Sequence, residues 1–147
     1  MFNLRCREAI QAMWQRELGV RITIAVLELK TWLQNEQTRN YTIAFNGWIA
    51  DFPDPATFLE IYVKDGGNNW TGWGDPAYDR LIAQAAHTLD PIRRFEAFQQ
   101  AEAILLEQAP IAPLYFNAQT YLIHPAVKNW HPSPLGYQRY QYVWLEN

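Results

Sequence analysis

Residues 45–58 read FNGWIADFPDPATF, and this stretch is the most informative part of the chain. It continues from residues 41–46, an apolar run that is typical of a buried strand, and it places Asp51 shortly after that strand. Ligands in α/β proteins bind outside the carboxyl ends of strands. The immediate neighbours of Asp51 offer no cation, and a carboxylate away from water needs one. We therefore expect Asp51 to be at least partly exposed beside Trp48, facing a cleft.

Asp54 stands in a different local pattern. It is followed by Pro55 and an apolar stretch, which is the signature of a helix N-cap with proline in the first turn. The same Asp-Pro pair precedes apolar-periodic stretches at Asp75 and Asp90, so three helices with aspartate caps are predicted. A catalytic interpretation would pair Asp51 with Asp54 as base and acid. The capping role of Asp54 argues against that interpretation.

Hydrophobic periodicity predicts the remaining elements. Helices are expected over residues 5–18 and 29–37, and the second and third Asp-Pro helices carry apolar stripes ending at Leu89 and Leu105. Strands are expected over residues 20–26, 41–46 and 140–145, with a hairpin-like pair at 111–116 and 120–123. Residues 65–74 (DGGNNWTGWG) are expected to form an irregular loop. The order helix, strand, helix, strand indicates α/β construction.

Composition limits the class of protein. A chain of 147 residues can bury one ordinary core, so it is one domain or part of one. The formal net charge of -3 and the absence of a basic run argue against nucleic-acid binding. The single cysteine, Cys6, excludes an intramolecular disulfide and is expected to be a small core residue. No apolar run approaches the ~20 residues of a membrane span, and the N-terminal segment lacks the apolar core of a signal peptide, so a soluble, unexported chain is expected.

Catalytic and metal-binding patterns are missing from the sequence. His87, His124 and His131 have no spacing that would bring two metal ligands together. There is no Gly-x-Ser-x-Gly elbow, and Cys6 has no plausible base on its own predicted helix. The sequence therefore predicts a protein that is not an enzyme, with no catalytic residues, no metal and no cofactor.

In the order of its motifs, the chain resembles the C-terminal part of the oligopeptide- and dipeptide-binding family of extracytoplasmic solute receptors that serve ABC importers, the family 5 solute-binding proteins. The resemblance is carried by ELGVRITI, ELKTWL, GWIADFPDP, NNWTGWGDPAYDRLI, AEAILLEQAPIAPLYF and PLGYQRYQYVW. It implies an α/β fold: a partial lobe of a type II periplasmic-binding-protein-like fold, with a mixed sheet and flanking helices. Residues 1–130 would form the partial C-terminal lobe, and residues 131–147 a crossover segment and strand returning to an N-terminal lobe. Because family members are several times longer, the chain is expected to be a fragment.

The resemblance also implies a site and its partners. Asp51 matches the aspartate that neutralises the α-amino group of a bound peptide. Trp48 would pack beside the ligand, and the main chain of Gly47 and Ile49 would pair with the peptide like an added strand. The partners would be an oligopeptide or dipeptide and an importer permease, and the full-length parent would be periplasmic or extracellular and membrane-associated.

Two features leave the ligand open. Some oligopeptide-binding members carry arginines, which meet ligand carboxylates, at the positions of Glu36 and Phe45, and this chain has neither. Trp70 and Trp73 could instead serve as stacking platforms for a carbohydrate.

The sequence also allows a different class of protein, a structural remnant that binds no ligand and self-associates as a two-fold dimer. Residues 140–145 favour it, because they are apolar on both faces and have no predicted partner after residue 130.

Overall fold

Helices dominate the computed structural model, which describes residues 4–133 and 135–146. The α-helices are α1 (Leu4–Leu18), α2 (Leu29–Gln37), α3 (Ala56–Leu59), α4 (Pro76–His87) and α5 (Pro91–Gln108), and single 3-10 turns cover Glu60–Tyr62 and Tyr140–Tyr142. In the described part of the chain the strands are β1 (Val127–Lys128) and β2 (Trp144–Leu145), which pair antiparallel with Val127 opposite Leu145. The four longer helices therefore match the sequence prediction to within a few residues at each end.

The core lies where α3, α4 and α5 meet. Its buried residues come from all three helices: Ala56, Leu59, Tyr78, Ile82, Ala85, Ala97, Phe98, Ala101 and Leu105. Tyr78 is fully buried, its hydroxyl donates to the Leu59 carbonyl oxygen at 2.5 Å, and its ring meets Trp73 edge-on at a centroid distance of 5.0 Å. Alanines at the contact of α4 with α5 let the two helices pack closely. Because Ala56 and Leu59 belong to this cluster, it holds in place α3, where the 45–58 segment ends.

Two of the three predicted aspartate caps are confirmed. The Asp75 carboxylate accepts from the amides of Ala77 and Tyr78, and the Asp90 carboxylate accepts from Ile92 and Arg93. Asp54 also accepts from a backbone amide, that of Ala56 at 2.9 Å, but the helix that follows is only four residues long and its N-cap residue is Pro55.

Asp90→Ala is expected to lower the free energy of unfolding by ~1 kcal/mol, because two amides of the first turn of α5 lose their acceptor. Asp75→Ala is also expected to lower the free energy of unfolding. Chemical denaturation followed by circular dichroism measures both. Glu107→Ala, an exposed position near the other end of α5, is the control and should change little. Equal midpoints for Asp90→Ala and the control would contradict the capping role.

Most of the predicted strands are absent from the described residues. Residues 20–26, 41–46, 111–116 and 120–123 are extended or irregular, without a hydrogen-bonded ladder. Alternating side chains predict a strand only when another strand lies beside it, because the backbone groups must be paired. The predicted hairpin of residues 111–116 and 120–123 is wrong for this reason, as are the predicted strands over residues 20–26 and 41–46.

The last strand is also corrected. Residues 140–142 form a 3-10 turn, and only Trp144 and Leu145 are strand, paired with β1 of the same chain. The expectation that this segment lacks a partner within its own chain is therefore wrong. The apolar stripes of α4 and α5 are shorter than predicted as well, since Leu89 is 99% exposed and Phe95 is 54% exposed.

Candidate functional site

The segment that follows Asn46 is extended and open. Trp48 is 38% exposed, Ile49 is 71% exposed, and Gly47 is exposed too. Within residues 4–133 and 135–146, the amides and carbonyls of Trp48, Ile49 and Ala50 form no hydrogen bond, whereas the Gly47 amide donates to the Asn46 side chain at 2.7 Å. The segment therefore offers unpaired main-chain groups to an added strand.

Asp51 is exposed and its carboxylate is uncommitted. Its backbone amide donates to the hydroxyl of Thr57 in α3 at 2.9 Å, and Thr57 is itself buried. In the part of the chain that the structure describes, the Asp51 carboxylate forms no hydrogen bond and no ion pair. Neither Arg39 nor Arg80 pairs with it. The expected exposure of Asp51 is confirmed, and its main chain is fixed while its side chain stays available.

Asp54, three residues further on, has a structural contact. Arg94 of α5 holds its carboxylate with two hydrogen bonds of 2.6 and 2.9 Å, and both side chains are partly buried. The hydrogen bond from Arg94 is the main reason why the pKa of Asp54 lies below its usual range, with the Ala56 amide adding to the effect. Asp54 is therefore not a proton donor that could act beside Asp51. Sequence analysis predicted the structural role but not the partner, which lies 40 positions away.

Glu36 is a buried acid that sequence analysis assigned no structural role. Its side chain lies at the end of α2, the residue is 3% exposed, and Oε2 accepts from Asn46 Nδ2 at 2.9 Å. Burial raises its pKa from 4.5 to about 7. A signal was present in the sequence, because Glu36 continues the helical spacing of Leu29, Trp32 and Leu33 on one face of α2.

The glycine-rich loop presents less aromatic surface than its two tryptophans suggest. Trp73 packs on Tyr78 and donates from its indole to the Gln108 side chain at 2.8 Å, so it is partly buried against the core. Trp70 donates to the Gly67 carbonyl at 3.1 Å. The buried Asn69 side chain holds the loop by donating to three backbone carbonyls. A pair of stacking platforms for a carbohydrate is therefore not formed.

The described residues contain neither a metal-binding cluster nor a membrane-spanning helix. No three His, Cys, Asp or Glu side chains are grouped so that they could hold a metal ion. Among the described helices, none combines the length and the apolar character needed to cross a membrane.

The fold is that of one part of a periplasmic peptide-binding protein. The structure of the murein tripeptide binding protein MppA of Escherichia coli superposes on 96% of this chain with a TM-score of 0.81 and 30% identity, and 28% of that chain is covered. The substrate-binding domain of an oligopeptide ABC transporter from Bacillus anthracis matches 97% of the chain with a TM-score of 0.80 and 27% identity, covering 29% of its own length. The expected fold class, a partial lobe, is confirmed.

The sequence agrees with the fold. Residues 3–70 match the family of bacterial extracellular solute-binding proteins, family 5 (middle part). The oligopeptide-binding protein OppA of Bacillus subtilis is 36% identical over 121 residues, which are 82% of this chain and 22% of the relative. The chain is therefore similar to the family 5 solute-binding proteins, and it spans about a quarter of the length of the relatives it matches. The family is one of binding proteins and not of enzymes.

Proposed function

We propose that this chain forms one wall of the ligand site in the peptide-binding component of an ABC importer, with Asp51 receiving the α-ammonium group of the ligand. The observation that carries the proposal is the Asp51 carboxylate, which has no partner among the described residues and directly follows the unpaired main chain of residues 48–50. Asp54, Asp75 and Asp90 are each engaged by a backbone amide or by Arg94, whereas Asp51 is anchored only through its main chain. A ligand ammonium supplies the missing charge.

The main chain beside Asp51 fits an extended peptide. In an extended segment the amide and carbonyl of one residue point to the same side of the strand, and the amide and carbonyl of residue i+2 point to that side as well. Gly47 and Ile49 have this relation, and the Ile49 groups are free in the described structure. Because the Gly47 amide is already bonded to Asn46, the ligand pairs with the Gly47 carbonyl and with Ile49. Trp48 packs beside the ligand.

The partners and the location follow from the same assignment. The ligand is a dipeptide or an oligopeptide, and the permease of the importer receives it. Residues 1–130 belong to the C-terminal lobe and residues 131–147 to the crossover towards a second lobe. The protein acts in the periplasm or at the outer side of the membrane, as the extracellular family and the periplasmic relatives support.

Tri-alanine with a free amino terminus is expected to bind this chain in the millimolar range. The affinity is low because a single wall leaves much of the ligand in water, where an ammonium–carboxylate pair contributes little. Titration of the ¹⁵N-labelled chain should shift the amide signals of residues 47–51. Asp51→Asn should abolish the shifts, because the isosteric amide carries no charge.

Two controls make the result specific to the amino group. Asp65→Asn changes another exposed aspartate, one whose side chain forms no hydrogen bond or ion pair within the described ranges, and should leave binding intact. N-acetylated tri-alanine should fail to bind the unmodified chain. Equal shifts with the acetylated peptide, or with Asp51→Asn, would overturn the assignment of Asp51.

Self-association is a second candidate, favoured by exposed apolar side chains near the C-terminus. Tyr140, Tyr142, Trp144 and Leu145 are each more than half exposed although β2 is paired within the chain. We propose that a second copy covers this surface as a two-fold dimer.

Light scattering coupled to size exclusion at micromolar concentration should therefore give about twice the 17.2 kDa of one chain. Tyr140→Ser combined with Leu145→Ser should return it to the monomer, whereas Ile92→Ser, exposed on α5, should not. A monodisperse monomer of the unmodified chain would end this proposal.

A further inference from the structure

Glu36 occupies an environment that works against its charge. The residue is buried at 3% exposure, and no cation forms an ion pair with it among the described residues. A buried carboxylate without a cation costs stability, and an apolar side chain on the same face of α2 would avoid that cost. Perturbed acids of this kind cluster at functional sites. The position of Glu36 relative to the 45–58 segment shows what it could do there.

Two consecutive hydrogen bonds link Glu36 to the ligand-facing main chain. Glu36 Oε2 accepts from Asn46 Nδ2 at 2.9 Å, and Asn46 Oδ1 accepts from the Gly47 amide at 2.7 Å. An amide side chain has its donor and its acceptor on opposite sides. By holding the NH₂ group, Glu36 therefore directs the oxygen of Asn46 to Gly47.

We propose that Glu36 and Asn46 are positioning residues for peptide binding: Glu36 orients the Asn46 side chain, and Asn46 holds the main chain at Gly47 in the form that accepts the ligand. The inference rests on the proposed function, because it assumes that the ligand lies along Gly47 and Ile49. Neither side chain needs to touch the ligand.

The ionisation state of Glu36 decides how well this arrangement holds. An ionised carboxylate is an acceptor only, so it binds the NH₂ group of Asn46 in one orientation and with a charge-assisted hydrogen bond. A protonated Glu36 can donate to Asn46 Oδ1 instead. The side-chain amide of Asn46 then turns over, and its NH₂ group faces the backbone amide of Gly47, which loses its acceptor. Since burial places the pKa of Glu36 at about 7, the change falls near neutral pH.

The other titrating and charged groups near Glu36 do not compete in this range. Tyr41 faces it, and burial together with the charge of Glu36 raises the pKa of this phenol above its usual value of 10.0. Arg39, just past the end of α2, acts on the same phenol with its positive charge and lowers the pKa of Tyr41. Arg7 of α1 lies over the ring of Phe45, one residue before Asn46, at 5.1 Å.

The first measurement needs no ligand. In the unmodified chain the Gly47 amide signal should shift between pH 6 and 8 and follow the titration of the Glu36 carboxyl group, read by ¹³C NMR. The shift should vanish in Glu36→Gln and in Asn46→Ala. It should persist in Asn40→Ala, which removes an exposed asparagine bonded to Asn35 on the same α2 end. A Gly47 signal that follows Glu36 equally well in Asn46→Ala would overturn the inference.

The second measurement uses tri-alanine. The quantity to follow is the affinity of tri-alanine for the unmodified chain divided by its affinity for Glu36→Gln. This ratio should rise about fivefold from pH 6 to pH 8, because a charge-assisted hydrogen bond is stronger than a neutral one. The ratio cancels the titration of the peptide's own amino group. Asn46→Ala should weaken binding about fivefold at pH 8, and Asn40→Ala should not. A flat ratio, or full affinity in Asn46→Ala, would overturn the positioning role.

The two proposals fail separately. If Asp51→Asn abolishes binding while the Glu36→Gln ratio stays flat, the peptide site stands and the positioning role is wrong. If Asp51→Asn leaves binding unchanged, the proposed function is wrong whatever Gly47 does.

Discussion

Phe98→Ala is expected to leave much of the chain unfolded at 25 °C. Phe98 is 3% exposed in the middle of α5 and belongs to the small cluster in which α3, α4 and α5 meet. Removing a buried phenyl ring costs ~3–5 kcal/mol from lost burial and the cavity left behind. A domain with few buried residues has little stability in reserve. Far-ultraviolet circular dichroism and urea titration would show the loss directly.

Phe95→Ala is the matched control, because it deletes the same ring from the same helix at a position that is 54% exposed. It should change the free energy of unfolding by well under half as much as Phe98→Ala. Similar urea midpoints for the two variants would mean that the cluster around Phe98 does not hold the fold together.

Glu36→Gln is expected to stabilise the chain at pH 8 by about 3 kcal/mol, because burial raises the pKa of Glu36 from 4.5 to about 7. Between these two values the native state holds a proton that the unfolded chain has released, so stability falls as the pH rises from 4.5 to about 7. Glutamine removes this dependence. The advantage of the variant should therefore be near zero at pH 4.5 and reach its full size above pH 7.

Glu107→Gln provides the comparison, since Glu107 is exposed near the end of α5. Thermal unfolding of the three proteins at pH 4.5 and pH 8 isolates the contribution of Glu36. If Glu36→Gln and Glu107→Gln show the same pH dependence, Glu36 is not the buried titrating group that the structure indicates.

The helices could be predicted from the sequence because their signals are local. The aspartate that caps α5 and the proline after it lie within three residues of the first turn, and the stripe of α2 repeats within nine residues. A strand depends on a partner strand that the local sequence does not identify. Residues 20–26 have the alternating pattern of a strand and yet do not form one. β2 was expected to have no partner in its own chain, but β1, about 17 positions earlier, pairs with it.

The site was predictable in part for the same reason. Asp51 stood out because nothing near it in sequence could neutralise it, and the structure leaves that carboxylate uncommitted. The contact of Asp54 with Arg94 spans 40 positions and joins a turn to the side of a helix, so no periodicity reveals it. The bond between Glu36 and Asn46 crosses only ten positions but depends on how the chain turns after α2.

The anchoring of Asp51 through its backbone has a consequence for how such a site can diversify. The bond from its amide to Thr57 keeps the main chain in place whichever side chain occupies position 51. Under the proposed function, a substitution there would alter which ligand group the site attracts while leaving the packing of α3 on α5 untouched. If Asp51 meets the ligand as proposed, a new ligand preference would need only a single substitution with little risk of misfolding, and one scaffold could then be adapted to different ligands.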